Sequence, residues 1–318
     1  MTHGTPSPQV GICVLDHHQP EATRTCIASL LAREPATTRI LWLVSEAEAA
    51  RPALEAVLAQ GSFPWVWVDP DAEVLPGPGI VSLLALPENR GYAGGNNAGL
   101  RFLRKQGVPY IWLLNNDTRL LEGDSRLLVS AAEARPEVGL WGTVITSEAH
   151  GTSCGHVLRD EDYRARPCTS LQELEQHPMA YISGCSLFLR TELAERLGYL
   201  PEAYFLYYED SHVARTVRDQ GMGLSAVETV QIWHHEGMAT GHRSPLMLFY
   251  NARNRWIFLR QHAPQALGRQ LLRHVYFMQK LLFRGRFGHL WIEYLGYLDY
   301  RLGRTGRTLR DFSRSTRV

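Results

Sequence analysis

The apolar positions fall into short unbroken runs separated by stretches of helical spacing. Val10–Leu15 is a run of branched and small apolar residues, closed by the polar stretch Asp16–Pro20, and predicts a strand buried on both faces. Glu21–Ala32 then places Cys26, Ile27, Leu30 and Leu31 three to four residues apart, the spacing of a helix with one buried face. The alternation continues with a strand at Ile40–Val44, a helix at Pro52–Ala59 and an extra strand at Phe63–Val68. A Pro- and Gly-rich loop over Asp69–Gly79 leads to a strand at Ile80–Leu86, a helix at Gly94–Gln106 and a strand at Tyr110–Leu114. Such alternation predicts an α/β fold: a mostly parallel, Rossmann-like sheet flanked by helices, with ligands beyond the carboxyl ends of the strands. After about residue 141 the pattern weakens. His150–His177 is polar and predicts loops, Tyr181–Arg190 predicts one strand, and Asp210–Gln220 predicts a helix stopped by Gly221.

Composition adds a division the periodicity does not show. The 318 residues carry a net charge of only +1, yet residues 245–318 hold 14 Lys+Arg against 3 Asp+Glu, and the rest 19 against 29. We therefore expect an acidic catalytic domain over residues 8–244 and a basic helical C-terminal extension over 245–318. An acidic body opposes nucleic-acid binding. In the extension, arginines alternate with Phe249, Tyr250, Trp256, Phe258, Tyr276, Phe277, Phe283, Phe287, Trp291 and Tyr294. This suits an anionic membrane surface; packing on the catalytic domain, or on a second subunit as a homodimer, would account for it equally well. Five cysteines without a CxxC pair, a polar Met1–Gln9 and no run near the ~18 apolar residues of a span predict a cytoplasmic protein, at most resting on the inner face of the membrane.

Four segments carry chemistry. Tyr110–Thr118 ends an apolar run in Asn115-Asn116-Asp117; a carboxylate at a strand end can hold the divalent ion that neutralises a diphosphate, although Asn and Asp also make ordinary turns. Asn89–Leu100 packs Gly91, Gly94, Gly95, Gly99, Asn89, Asn96 and Asn97 between a strand and a helix. Its backbone could approach phosphate, or the glycines could serve tight helix packing; the spacing is neither a dinucleotide fingerprint nor a P-loop. Glu209-Asp210 follows an aromatic run at a helix start, where a carboxylate could act as a general base or merely as a cap. His234-His235 follows an apolar stretch and offers imidazole ligands.

Together these segments resemble the family-2 inverting glycosyltransferases, above all their rhamnosyltransferase-like branch, from about Val10 to about His262. Asn89–Leu100 follows that group's N-x-G-x-x-x-G-x-N-x-G-L pattern, Asn115-Asn116-Asp117 sits at its D-x-D-like motif, and Glu209-Asp210 with Arg215 follows its E-D-x-x-x-x-R motif. Asn251-Ala-Arg253-Asn254 resembles the R-N pair that opens its C-terminal helices. The resemblance implies a GT-A fold, a nucleoside-diphosphate sugar donor, Mg2+ or Mn2+, and transfer of a rhamnose or hexose to a glycan or lipid-linked glycan. It implies Asp117 and His234 as metal ligands, and Asp210 as the catalytic base with Glu209 beside it in the catalytic pair. Around the donor it sets Asp16, Glu46, Asn89, Gly91, Gly95, Asn97, Asn115, Asn116, Asp117 and Arg215.

Three positions depart from the pattern. Leu15-Asp16-His17-His18 ends the first strand, Val44-Ser45-Glu46-Ala47 the second, and His212 stands where a third acid is usual. They leave two other readings: a sugar-phosphate nucleotidyltransferase, or a non-catalytic binding protein on the same fold.

Overall fold

The computed structural model describes residues 9–148, 151–168, 170–235, 244–310 and 312. The first half is the alternating pattern of the sequence: β1 (Val10–Asp16), α1 (Pro20–Leu31), β2 (Thr38–Val44), α2 (Ala47–Leu58), β3 (Trp65–Val68), β4 (Val81–Ala85), α3 (Gly91–Lys105) and β5 (Tyr110–Asn115). α2 begins five residues before the expected Pro52. Pro52 lies inside the helix on its exposed face, where the carbonyl it leaves unbonded can meet water. The second half brings β6 (Thr118–Glu122), α4 (Ser125–Ala134), β7 (Val138–Ser147) and β8 (Gly151–Ser153). β9 (Gly155–Leu158), β10 (Ala165–Cys168), α5 (Leu171–Gln176) and β11 (Ala180–Tyr181) occupy the segment expected to be loops. β12 (Ser186–Arg190), α6 (Thr191–Arg196), α7 (Glu209–Asp219) and β13 (Gly223–His234) complete the α/β body.

The main sheet has the order β3-β4-β2-β1-β5-β12-β7-β13-β6, with β8 beside β7; β10-β9-β11 form a small second sheet. β3, β4, β2, β1 and β5 run parallel, and so do β7 and β13. β12 is inserted antiparallel between β5 and β7, so its N-terminal end meets the carboxyl ends of its neighbours. Consecutive residues of β1 serve opposite cores. Ile12 and Val14 pack with Ile27, Leu30 and Leu54 on one face, and Cys13 packs with Leu100 and Leu103 on the other. Both faces are covered, which is why the strands read as continuous apolar runs. All five cysteines are buried and unpaired.

The glycine-rich segment is explained by how closely α3 lies on the sheet. A methyl group on Gly99 would stand 2.7 Å from Cys13 Sγ and 2.9 Å from Leu43 Cδ1, and one on Gly95 2.7 Å from Leu15. Gly91 opens α3 with φ +68°, and a Cβ there would lie 2.1 Å from the Phe205 carbonyl oxygen.

The charge boundary at residue 245 is not a packing boundary. α8 (Pro245–His262) is buried nearly all round, with Phe249, Tyr250, Trp256 and Phe258 in the core. α9 (Leu267–Phe283) and α10 (Phe287–Arg301) are different: Tyr276, Phe283, Phe287 and Trp291 face outward. Among the described residues no helix is long and apolar enough to cross a membrane.

The glycine geometry can be tested with a matched pair. Gly107 has φ +69° and open space around it. Gly107→Ala should therefore cost only the backbone strain, about 1 kcal/mol. Gly91→Ala adds a clash with backbone and should cost at least ~2 kcal/mol more in urea unfolding.

Candidate active site at the strand ends

The sheet topology gathers the candidate residues along one edge. Asp16 ends β1, Glu46 follows β2, Asn89 follows β4, Asn115–Asp117 follow β5, and His234 ends β13. The turn of residues 182–185, which precedes β12, enters the same edge.

That turn is the junction of the site, and it splits the single strand expected over Tyr181–Arg190. The Gly184 N–H donates to Asp210 Oδ2 (3.2 Å), and the Gly184 carbonyl accepts from the Tyr92 hydroxyl. The Cys185 carbonyl accepts from the Asn115 N–H (3.1 Å), and the Cys185 side chain lies against His234. His234 Nε2 stands 3.2 Å from Asp117 Oδ1, and the His235 N–H donates to the Asp117 carbonyl. Asp210 and Asp117 thus belong to one bonded cluster. Gly184, Cys185 and Tyr92 were not anticipated; Ser183-Gly184 interrupting an apolar run was the available signal.

Asp117 is buried, and its Oδ1 has no hydrogen-bond partner; the approach of His234 lacks hydrogen-bond alignment. Two ligands at about 2.1 Å, at right angles on one octahedral Mg2+, lie about 3 Å apart, so the 3.2 Å spacing fits a shared divalent ion. Electrostatics agree that positive charge belongs here. Burial disfavours a charged His234, but Cys185 and Asp117 more than offset this and push its pKa up to about 11. Asn116 is buried and donates to Thr23 Oγ1 (3.1 Å), fixing the turn on α1, and the Asn115 carbonyl accepts from Thr118 Oγ1 (2.7 Å).

Asp210 and Glu209 open α7; Glu209 is buried and Asp210 half-buried, and their surroundings separate them further. Burial raises both. Glu209 is further raised by the charge of Asp210 and has an unbonded Oε2, so it is driven well above the carboxylate range. For Asp210 the Gly184 N–H, the Ser211 N–H and the Ser211 hydroxyl favour the charged form and hold its pKa to about 6. At neutral pH Asp210 is the carboxylate and Glu209 the acid.

The approach to α7 is strained. Phe205, Tyr207 and Tyr208 all have positive φ, a conformation side chains rarely adopt and one that surrounding contacts must enforce. Asn254 supplies those contacts: fully buried on α8, its Nδ2 donates to the carbonyls of Tyr204, Leu206 and Tyr207 at 2.8–2.9 Å. Arg253 adds a bond to the Tyr204 carbonyl (3.0 Å).

The departures at the first two strands form a cluster of their own. His18 Nε2 lies 3.1 Å and His17 Nδ1 3.6 Å from Glu46 Oε2, with His18 and Glu46 both at positive φ. Asn89 Oδ1 accepts from the Gly91 N–H, so its amide NH2 faces His17 Nε2 at 3.3 Å. His17 then carries its proton on Nδ1, toward Glu46 but beyond hydrogen-bond distance, while His18 hydrogen-bonds Glu46. Arg307, from the chain beyond α10, reaches the Asn89 carbonyl (3.4 Å) and lies 3.9 Å from Glu46. Asp16 is buried and accepts from the Gln19 N–H and from Trp42 Nε1.

Three expected donor contacts are spent elsewhere. The Asn97 amide bonds the Leu200 backbone at both ends and Glu202 Oε1, pinning the loop after α6. Gly95 is turned onto Leu15. Arg215 pairs with Asp219 (2.8 Å), away from the start of α7 where the acids lie. His212 sits about 200° around the helix from Asp210 and bonds Tyr204 and His262, so it does not stand beside the acids.

Residues 67–198 match the family described as Glycosyl transferase family 2. The chain is 22% identical over 174 residues to the low-salt glycan biosynthesis hexosyltransferase Agl10 of Haloferax volcanii, which covers 53% of this chain and 57% of that protein. It is 24% identical over 204 residues to an N-acetylglucosaminyl-diphospho-decaprenol L-rhamnosyltransferase of Mycobacterium tuberculosis, covering 56% of this chain and 66% of that one. The chain thus spans less than two thirds of the length of these curated relatives. Among solved structures, the mannosyltransferase PcManGT of Pyrobaculum calidifontis, in complex with GDP-Man and Mn2+, superposes with a TM-score of 0.52 at 13% identity, over 94% of this chain and 89% of that one. GalNAc-T7 with UDP, GalNAc and Mn2+ gives 0.53 at 12% identity, over 78% and 47%. These neighbours establish the GT-A fold, and the stretch matched by the family model and the two curated relatives show what the chain is similar to: family-2 glycosyltransferases, among them a hexosyltransferase and a rhamnosyltransferase.

Proposed function

We propose that this chain is a metal-dependent, inverting glycosyltransferase. It moves a rhamnose or hexose from a nucleoside-diphosphate sugar to a hydroxyl of a glycan or lipid-linked glycan. The observation that carries the reading is the 182–185 turn, which ties a half-buried carboxylate of pKa about 6 to the Asp117–His234 pair on one sheet edge. Mn2+ is present with a nucleotide or nucleotide sugar in both solved neighbours, which favours a divalent cation here.

Asp117 and His234 would hold Mg2+ or Mn2+, which when bound neutralises the diphosphate leaving group. Asp210 takes the proton of the acceptor hydroxyl as that oxygen attacks the anomeric carbon. The bond to diphosphate breaks on the opposite face, which inverts the centre. A pKa near 6 leaves Asp210 ionised at neutral pH but more basic than an ordinary carboxylate. Glu209 stays neutral and spares Asp210 a buried like charge. The outward aromatics of α9 and α10, with Arg273, Lys280, Arg284 and Arg286 among them, favour contact with an anionic membrane surface.

Asp210→Asn should slow nucleoside-diphosphate release from a turned-over donor by ~10²–10⁴-fold with donor affinity little changed. In the wild type, kcat/KM should fall as pH drops through about 6, because protonation removes the base; an acid limb that survives in the residual activity of Asp210→Asn would exclude Asp210 as its source. Asp117→Ala should abolish the Mn2+-dependent part of nucleotide binding in calorimetry, and unchanged binding would remove Asp117 from the site. Asn254→Ala leaves three carbonyls without their donor and should lower unfolding free energy by about 2 kcal/mol. It should also shift the acid limb of the pH profile, which a purely structural residue would not do.

A further inference from the structure

A cavity of about 770 Å³ opens between α8, α9 and α10 beside the start of β10. Five cationic side chains line it, Arg164, Arg255, Lys280, Arg284 and Arg286, against a single carboxylate, Glu293. Glu293 is already satisfied. It is buried, which would raise its pKa, but His289, Arg255, Arg164 and His274 around it hold it below the usual range. Arg164 and Arg255 are thereby fixed as the cationic floor. Lys280, Arg284 and Arg286 are exposed, and among the described residues none has an ion-pair partner. Three unpaired cations around a concave site call for an anion with several oxygens.

The two ends of the cavity narrow the choice. Its lining includes Tyr208, the residue directly before Glu209 and Asp210, which puts the cavity next to the chain segment that carries the proposed base. Next to its lining residues along the chain runs an exposed apolar rim at the end of α9 and the start of α10: Phe283 is 88% exposed and Phe287 63%, and Leu282 and Trp291 are exposed as well. A soluble anionic glycan would have no use for that rim. The donor diphosphate is assigned to the opposite side, at Asp117 and His234.

We infer that this cavity is the acceptor head-group site, binding the phosphate or diphosphate that joins an acceptor sugar to a membrane lipid. The lipid chain leaves over Phe283 and Phe287 into the bilayer, and the acceptor sugar points past Tyr208 to Asp210. This deepens, and rests on, the reading of the chain as a sugar transferase.

The test uses the full chain and phosphatidylcholine vesicles carrying either a long-chain polyprenyl diphosphate or phosphatidylglycerol at matched charge. Wild type should bind the polyprenyl diphosphate vesicles at least ~10-fold more tightly. Lys280→Ala/Arg284→Ala/Arg286→Ala should abolish that preference while melting temperature and Mn2+-dependent nucleotide binding stay unchanged. Phe283→Ser/Phe287→Ser should weaken binding to both vesicle types equally. Equal binding of the two vesicle types by wild type, or a preference that survives the triple substitution, would overturn the assignment. Inorganic diphosphate should compete only weakly; competition at the affinity of the lipid would overturn the lipid part. Preference for the diphosphate vesicles without binding of any nucleotide would leave the pocket standing and sink the sugar-transfer reading instead.

Discussion

The site depends on the backbone of one residue. The Gly184 N–H holds Asp210, and the carbonyl of the same residue holds Tyr92 at the start of α3. The next carbonyl holds Asn115 at the end of β5, and the next side chain lies against His234. A neutral peptide group is well suited to this task. It cannot titrate, and its direction is set by β12 being wedged antiparallel between two strands that run the other way. It also sets chemistry, because an N–H aimed at a half-buried carboxylate opposes the desolvation that would otherwise keep it protonated. Glu209, one residue earlier, has only its own backbone N–H to set against burial and the charge of Asp210, and is driven well above the carboxylate range.

The C-terminal helices complete this arrangement rather than decorate it. Glu209 and Asp210 follow a turn in which three aromatic residues take a left-handed backbone. Such a turn persists only where its carbonyls are held elsewhere. Asn254 and Arg253 hold them from the buried face of α8. The segment after α10 returns to the same region: the Gly306 N–H bonds the Ala203 carbonyl, and Arg307 reaches Asn89 and Glu46 at the other end of the edge. One extension thus braces the turn that carries Asp210, contributes most of a cationic cavity lined by Tyr208 and carries the outward apolar face.

The departures from the family pattern look independent in sequence and are not so in space. His18 hydrogen-bonds Glu46, His17 faces the same carboxylate at 3.6 Å, and Asn89 orients His17. His212 replaces an acid on a face of α7 turned toward His262 and away from Asp210, where burial lowers its pKa to about 4 and keeps it neutral. The first group alters the edge where the resemblance sets the donor, and the second leaves the acids untouched.

Local signals determined much of this protein. Unbroken apolar runs and 3.6-residue spacing marked β1 to β5 and α1 to α3, because a strand covered on both faces and a helix with one buried stripe each leave a periodic trace. The carboxylates at strand and helix ends could be found because polar residues closing apolar runs stand out. What the sequence did not carry were consequences of distant pairing. The short strands between residues 151 and 181 have little periodicity to display. The break at residues 182–185 is two small residues in an apolar run. The glycines of α3 read equally as a phosphate loop or as close packing until Cys13, Leu15 and Leu43 were placed against them. The aromatics of the basic extension looked alike along the chain, yet those of α8 went into the core and those of α9 and α10 stayed outside. Only the tertiary structure makes that division, since burial depends on which surfaces remain to be covered once the sheet has closed.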